Sequence, residues 1–158
     1  MMNLESDPEN FELDHVGINV PNLDQAVDFF TEAFGAKEIF RIDRFGDFEN
    51  GALERLGAVR EAEVELAMLE IGAGRLELLR WWSPNQTGAT FKSSDVGASH
   101  IAIKVANVAQ SLERLRRTEG VRVLGEPVTF ETGATPGLTN AFAITPWGAL
   151  IELVHWGE

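Results

Sequence analysis

The first half of the chain predicts one strand, one helix and three further strands. Residues 13–20, LDHVGINV, alternate between apolar and polar side chains, which is typical of a half-buried strand. Residues 22–35 instead place apolar side chains on one helical face, with Asn22 as the N-cap and Gly35 as the stop. Apolar runs then predict strands at residues 36–42, 62–71 and 75–82.

The second half repeats this order. Residues 98–105, ASHIAIKV, match the first strand, and residues 107–120 match the helix, with Asn107 as the N-cap and Gly120 as the stop. Further strands are predicted at residues 121–130, 140–146 and 149–156. An internal repeat constrains the fold more strongly than any single propensity does. The sequence therefore predicts an α+β protein with two β-α-β-β-β modules.

The repeat also sets the boundaries of these modules. The first covers residues 12–82 and the second covers residues 98–158, with a linker rich in Ser, Thr and Gly at residues 83–97. Residues 1–11 are acidic and polar, and they predict a flexible tail. Each module has a half-buried sheet that needs a partner, so we expect the two modules to pack into one compact domain.

Composition and charge exclude several classes of function. The 158 residues carry a formal net charge of −12, which disfavours nucleic acids and anionic membranes because both would be repelled. The chain has no cysteine, so disulfides, thiolate metal ligands and cysteine nucleophiles are excluded. The N-terminal residues do not resemble a secretory signal, and a cytoplasmic location is the default expectation.

The repeat brings two histidines and two glutamates to matching positions. His15 aligns with His100, and Glu77 aligns with Glu152, each glutamate lying between apolar neighbours on a predicted strand. Because neighbours on a strand point to opposite faces, both carboxylates face away from the apolar side. Imidazole nitrogen and carboxylate oxygen are ligands for divalent Zn, Ni, Co, Fe and Mn. Any one of these residues alone is more often an ordinary surface residue, but together the four predict one divalent metal site.

Other residues are candidates for less central parts of a site. Glu70 competes with Glu77 as a ligand but has no aligned counterpart in the second half. His155 has no counterpart in the first half, and it is interpreted as an exposed or rim residue. Residues 44–60 are the least regular part of the chain and carry Phe45 and Phe48, so they are interpreted as a lid over a cleft.

These motifs resemble the vicinal oxygen chelate superfamily, which contains glyoxalase I, methylmalonyl-CoA epimerase, extradiol dioxygenases and bleomycin-resistance proteins. The resemblance extends from residue 12 to residue 157 and is carried by DHVGINVPNLDQAVDFF, RLELL, SHIAIKV and TPWGALIELV. It implies two β-α-β-β-β modules that form a U-shaped mixed sheet around a metal. By motif, the ligand positions of the family map onto His15, Glu77, His100 and Glu152.

The resemblance also implies a type of reaction. It implies a metal-dependent isomerase, epimerase or lyase of the glyoxalase type, acting on a small substrate with vicinal oxygens. The metal would serve as a Lewis acid that stabilises an enediolate, and Glu152 or Glu77 would be the base. Members of the family form the site within one chain or across a dimer, so a homodimer stays open.

Two other functions stay open on the sequence alone. One is extradiol cleavage of a catechol, although relatives of that type resemble a site with two histidines and one glutamate. The additional carboxylate of Glu77 favours the isomerase, epimerase or lyase branch. The other is a non-catalytic binding protein that sequesters an aromatic ligand. Asn19 stands where glutathione-dependent glyoxalase I carries an arginine, and no basic cluster for coenzyme A is evident, so the sequence disfavours both carriers.

Overall fold

Two four-stranded mixed sheets form the fold, and the predicted α+β class with two β-α-β-β-β modules is confirmed. The computed structural model describes residues 12–46, 52–88 and 91–157, so the predicted tail lies outside the described residues. The chain divides into two units, Met1–Pro84 and Asn85–Glu158, which we call the first and the second module. Within the described residues, no helix has both the length and the apolar content needed to cross a membrane.

The first module is built from β1 Val16–Asn19, α1 Leu23–Phe34, β2 Lys37–Gly46, α2 Ala52–Arg55, β3 Glu63–Ile71 and β4 Gly74–Trp82. The strand order is β1-β4-β3-β2, with β1 parallel to β4 and the other neighbours antiparallel. Asn22 caps α1, because its side-chain oxygen accepts a hydrogen bond from the Gln25 backbone N–H at 3.0 Å. Gly35 ends α1 in the left-handed conformation, with φ 66°, as predicted.

One face of the first sheet packs against α1. The helix buries Phe30 completely, and it lies against β3 and β4, where Leu69 and Leu78 are also fully buried. Removing one such side chain from water contributes about 1.5–3 kcal/mol. Because Leu76 and Leu78 lie on the helix side of β4, Glu77 between them points to the opposite face.

The face that carries Glu77 also holds a second apolar cluster, which we call the α2 cluster. Its buried members are Leu53, Val64, Leu66 and Leu79, and Phe45, Ala58 and Trp81 are partly buried against them. Residues 44–60 were interpreted as a lid. Three of their described side chains, those of Phe45, Leu53 and Ala58, belong to the cluster that packs on this face of the sheet. Phe48 lies outside the described residues. The short helix α2 was not predicted, since four residues cannot establish a helical period.

The second module is built from β5 His100–Lys104, α3 Val108–Arg116, β6 Arg122–Thr129, β7 Thr139–Ile144 and β8 Leu150–His155. The strand order is β5-β8-β7-β6, with β5 parallel to β8, so the module repeats the topology of the first. Leu112 and Leu115 are buried on α3, which lies against β7 and β8, where Ile151 and Leu153 are buried. Glu152 between these two residues therefore points away from the helix.

The helix of the second module ends earlier than predicted. Asn107 caps α3 as expected, but the helix ends at Arg116 instead of continuing to Gly120. The backbone N–H of Arg117 bonds to the carbonyl three residues back at 3.2 Å, which tightens and closes the last turn. Gly120 instead adopts φ 77° in the turn before β6, where an added Cβ would lie 3.0 Å from the Pro146 Cβ. Gly120 therefore serves this turn, and its interpretation as the helix stop is wrong.

Candidate functional site

Strand pairing brings the first His–Glu pair together. Gly17 on β1 lies opposite Glu77 on the parallel strand β4. His15 lies two residues before Gly17, so its side chain points to the same face as Glu77. The His15 Nε2 atom lies 3.6 Å from the Glu77 Oε2 atom. A Cβ on Gly17 would lie 3.4 Å from that same oxygen, so a side chain at this position would contact the carboxylate.

The second module holds the matching pair in the same way. Ala102 on β5 lies opposite Glu152 on β8, and His100 is the first residue of β5. The His100 Nε2 atom lies 3.2 Å from the Glu152 Oε2 atom. The imidazoles of His15 and His100 are 36% and 50% exposed, whereas the Glu77 and Glu152 side chains are only 22% and 15% exposed. Each module thus presents a sheltered carboxylate beside a reachable imidazole.

Asp14 anchors the imidazole of the first pair. Its Oδ2 atom lies 2.7 Å from His15 Nδ1, and its Oδ1 atom lies 3.6 Å from Arg75 Nη1. The pKa of Asp14 is lowered, first because of the hydrogen bond with His15 and to a smaller extent because of neighbouring positive charge. An ionised carboxylate only accepts hydrogen bonds, so His15 Nδ1 donates and Nε2 is directed to Glu77.

Asn140 anchors the carboxylate of the second pair. The Asn140 Nδ2 group donates a hydrogen bond to Glu152 Oε1 at 3.0 Å, which leaves Oε2 directed to the imidazole. By strand register, Leu66 occupies the position of Asn140 in the first module, and by sequence Ser99 occupies the position of Asp14 in the second. In the described part of the first module, the anchor therefore holds the histidine of the pair. In the described part of the second module, the anchor holds the glutamate.

The sequence predictions missed both anchors. The repeat identified His15, Glu77, His100 and Glu152 because each had an aligned counterpart, and neither anchor has one. Asp14 did carry a signal, since it directly precedes His15 and an adjacent carboxylate can reach the ring nitrogen. Asn140 carried none, because its contact runs diagonally between β7 and β8 and depends on their register.

The rival candidates lie outside the two pairs. Glu70 shares the face of Glu77 but lies opposite Arg75 and Lys37. His155, interpreted as an exposed or rim residue, is partly buried at the end of β8. Its Nδ1 atom lies 3.1 Å from the Val105 carbonyl oxygen, so the ring is bound to the neighbouring chain segment.

Asn19 and Trp81 extend the face that carries Glu77. The Trp81 Nε1–H group donates a hydrogen bond to Asn19 Oδ1 at 3.0 Å. Trp81 also packs against the α2 cluster, which fixes one side of the indole ring. The position predicted to correspond to the arginine of glutathione-dependent glyoxalase I therefore carries a neutral amide, which is hydrogen-bonded to an aromatic ring.

The donors of both pairs suit a divalent cation. Each pair offers one imidazole nitrogen and one carboxylate oxygen, which Zn, Ni, Co, Fe and Mn accept. The contact from Asp14 to the far nitrogen of His15 is the usual arrangement behind a metal-binding histidine. Across the described ranges, no group of three or more His, Asp or Glu side chains is placed to hold an ion. The structure therefore shows two suitable pairs, and a site that joins all four residues stays a prediction.

Comparisons with known proteins support the same family. A 2-epi-5-epi-valiolone epimerase from Actinomyces sp. is 40% identical over 144 residues, which cover 89% of this chain and 77% of the relative. A glyoxalase family protein from Bacillus cereus superposes with a TM-score of 0.75 at 24% identity, covering 97% of this chain and 100% of that chain. Glyoxalase I from Leishmania major superposes with a TM-score of 0.60 at 26% identity, covering 92% and 86%.

A family model covers most of the chain. The model described as Glyoxalase/Bleomycin resistance protein/Dioxygenase superfamily matches residues 12–153, which include both His–Glu pairs. The predicted resemblance to the vicinal oxygen chelate superfamily is confirmed, and the similarity to an epimerase favours the isomerase or epimerase branch. On its family match, its relative and its two repeated modules, the chain belongs to the Glyoxalase/Bleomycin resistance protein/Dioxygenase superfamily.

Proposed function

We propose that this protein is a metal-dependent epimerase that acts on a small hydroxylated ketone. The observation that carries the proposal is the duplicated contact, His15 with Glu77 and His100 with Glu152, in a chain 40% identical to an epimerase. The name of that relative, 2-epi-5-epi-valiolone epimerase, specifies a ketone and an inversion of configuration. We propose the same class of substrate for this chain.

Four residues are proposed to hold one divalent metal, Zn, Ni, Fe, Co or Mn: His15, Glu77, His100 and Glu152. When bound, such a cation supplies a Lewis acid that draws electron density from a carbonyl oxygen. Four protein donors leave coordination positions open, which is the requirement for a substrate with two adjacent oxygens. The Asn19–Trp81 contact offers neutral polar and aromatic surface on the Glu77 face, which suits an uncharged hydroxylated ring.

Glu77 or Glu152 is the proposed base that takes the proton. Epimerisation breaks a C–H bond next to the ketone on one face of the carbon and forms it again on the other. A carboxylate takes the proton while the bonding electron pair moves toward the carbonyl oxygen. Return of a proton to the opposite face gives the epimer, so the reaction needs neither an oxidant nor a reductant.

A deuterium exchange experiment tests the proposal. The full chain, purified without chelators, is analysed for metal content and then incubated with 2-epi-5-epi-valiolone in D2O. We expect bound metal, deuterium at the carbon next to the ketone, and appearance of the epimer by NMR. Loss of exchange after dialysis against a chelator, with recovery on adding Co²⁺ or Mn²⁺, would support metal dependence. Exchange that is unaffected by the chelator contradicts it.

The other two functions have distinct outcomes in parallel assays. Oxygen uptake with a catechol and ferrous iron would identify extradiol cleavage and exclude the epimerase as the main activity. A chain that binds no divalent metal but binds an aromatic ligand tightly would identify a sequestering protein. Each module places one glutamate beside its histidine, and this second carboxylate favours the epimerase over extradiol cleavage and over sequestration.

A further inference from the structure

The two His–Glu pairs differ in which member a neighbouring side chain anchors. In the first module the hydrogen bond from His15 Nδ1 to Asp14 Oδ2, at 2.7 Å, anchors the imidazole. In the second module the hydrogen bond from Asn140 Nδ2 to Glu152 Oε1, at 3.0 Å, anchors the carboxylate. Asp14 contacts His15 Nδ1, while Nε2 is the nitrogen near Glu77. Asn140 contacts Glu152 Oε1, while Oε2 is the oxygen near His100.

We propose that Asp14 and Asn140 are positioning residues that set the two pairs for metal binding, Asp14 through His15 and Asn140 through Glu152. This inference depends on the proposed function, because it assigns both residues a role toward the proposed metal. Asp14 selects the His15 tautomer that carries its proton on Nδ1, so the Nε2 lone pair is free for a cation. Asn140 holds one carboxylate oxygen and thereby orients the other.

The surroundings of both residues argue against a purely structural role. The Asp14 side chain is 71% exposed and makes no contribution to the buried core of the first module. At the position of Asn140, the first module carries the apolar residue Leu66, which is buried in the α2 cluster. The same sheet position thus accepts an apolar side chain in this fold, so an amide is not needed there for folding.

The repeat supplies its own test substitutions. Asp14→Ser gives the first module the residue that the second has at Ser99, and Asn140→Leu gives the second module the residue that the first has at Leu66. Asp28→Ser is the matched control, since it removes one negative charge from an exposed position of α1. All variants are made in the full chain, and their thermal unfolding midpoints are compared to verify folding.

The first measurement needs no metal. Long-range ¹H–¹⁵N NMR of the chelator-treated chain, at a pH where the imidazoles are neutral, reports the tautomer of each histidine. We expect the Nδ1–H tautomer for His15 in the wild type and in Asp28→Ser. Asp14→Ser should give a mixture dominated by the Nε2–H form. An unchanged tautomer in Asp14→Ser would overturn the role of Asp14.

The second measurement is Co²⁺ affinity, obtained by competition with a chromophoric chelator. Removal of an outer contact of this kind weakens metal binding by about 10–100-fold. We expect a loss in that range for Asp14→Ser and for Asn140→Leu, and wild-type affinity for Asp28→Ser. Wild-type affinity in both test variants would overturn the positioning roles and leave the proposed function intact. A wild type that binds no Co²⁺, yet shows the expected tautomer, would instead overturn the proposed function.

Discussion

The two modules share one topology but support their His–Glu pairs differently. In the first, the glutamate face is partly covered by the α2 cluster, and the charged anchor Asp14 holds the imidazole. In the second, the described residues between β6 and β7 form no helix, and the neutral anchor Asn140 holds the carboxylate. The two halves of the repeat thus share the His–Glu contact, although a different neighbouring side chain holds it in each half. The comparison also suggests that the two glutamates do not play equal parts.

The largest expected effect comes from replacing each glutamate by glutamine. Asn140 holds one oxygen of Glu152, whereas no side-chain amide holds Glu77 in the described part of its module. We therefore expect Glu77 to reach a substrate carbon more readily than Glu152. We expect Glu77→Gln to lower kcat by about 10²–10⁴-fold, the usual cost of losing a general base. Glu152→Gln should mainly weaken Co²⁺ binding.

Steady-state kinetics at saturating Co²⁺, together with a separate measurement of Co²⁺ affinity, distinguish the two losses. Glu70→Gln is the matched control, because Glu70 lies on the same face of the first sheet but outside the pair. It should leave kcat and Co²⁺ affinity unchanged. A larger loss of kcat in Glu152→Gln than in Glu77→Gln would show that the anchored carboxylate is the base and would reverse this assignment.

The next effect concerns the α2 cluster, which is a feature of the first module. Leu53 on α2 is only 1% exposed, and replacement by alanine would leave a cavity against the sheet. We expect Leu53→Ala to lower the free energy of unfolding by about 2–5 kcal/mol in a urea titration. Leu56→Ala, at a side chain that is 67% exposed, should change it by no more than about 0.5 kcal/mol. Equal losses in both variants would mean that α2 does not cover the sheet.

The sequence was sufficient for the fold because the two periodic patterns and their repetition are local signals. Alternating residues located β1 and β5, and Asn22 and Asn107 marked the helix starts through their caps. The sequence was less informative where a contact depends on strand register or on a few residues. The helix α2 and the position of Phe45 follow from packing against β3 and β4, which no local pattern records.

The same distinction holds for the candidate site. Duplication identified the four residues of the two pairs, and the structure brings each histidine to its glutamate within its module. Asp14 and Asn140 break the symmetry of the repeat, so an argument from aligned counterparts could not find them. A repeat therefore predicts what both halves share, while the differences that separate their roles require coordinates.

Two glycines with positive φ, one in each module, offer a further test of how the modules differ. Gly35 ends α1 with φ 66° and open space around it, whereas Gly120 has φ 77° and lies against Pro146. We expect Gly35→Ala to lower the free energy of unfolding by about 1–2 kcal/mol, the cost of a left-handed residue with a side chain. Gly120→Ala should cost about 1–3 kcal/mol more because of the added overlap. Urea titrations measure both, and equal costs would show that Pro146 moves aside without penalty.

The smallest expected effect lies beside the glutamates themselves, where Gly17 and Ala102 occupy matching positions on β1 and β5. A Cβ on Gly17 would contact Glu77 Oε2 and Leu79 Cδ1 at 3.4 Å, which is close but ordinary packing, and its φ is not in the left-handed region. Gly17→Ala should therefore raise the free energy of unfolding by about 0.4–1 kcal/mol, because alanine restricts the unfolded chain. The reverse change, Ala102→Gly, should lower it by a similar amount. If Gly17→Ala instead weakens Co²⁺ binding while Ala102→Gly does not, the space beside Glu77 is required for that carboxylate to move, and the two glutamates are unequal for a steric reason as well.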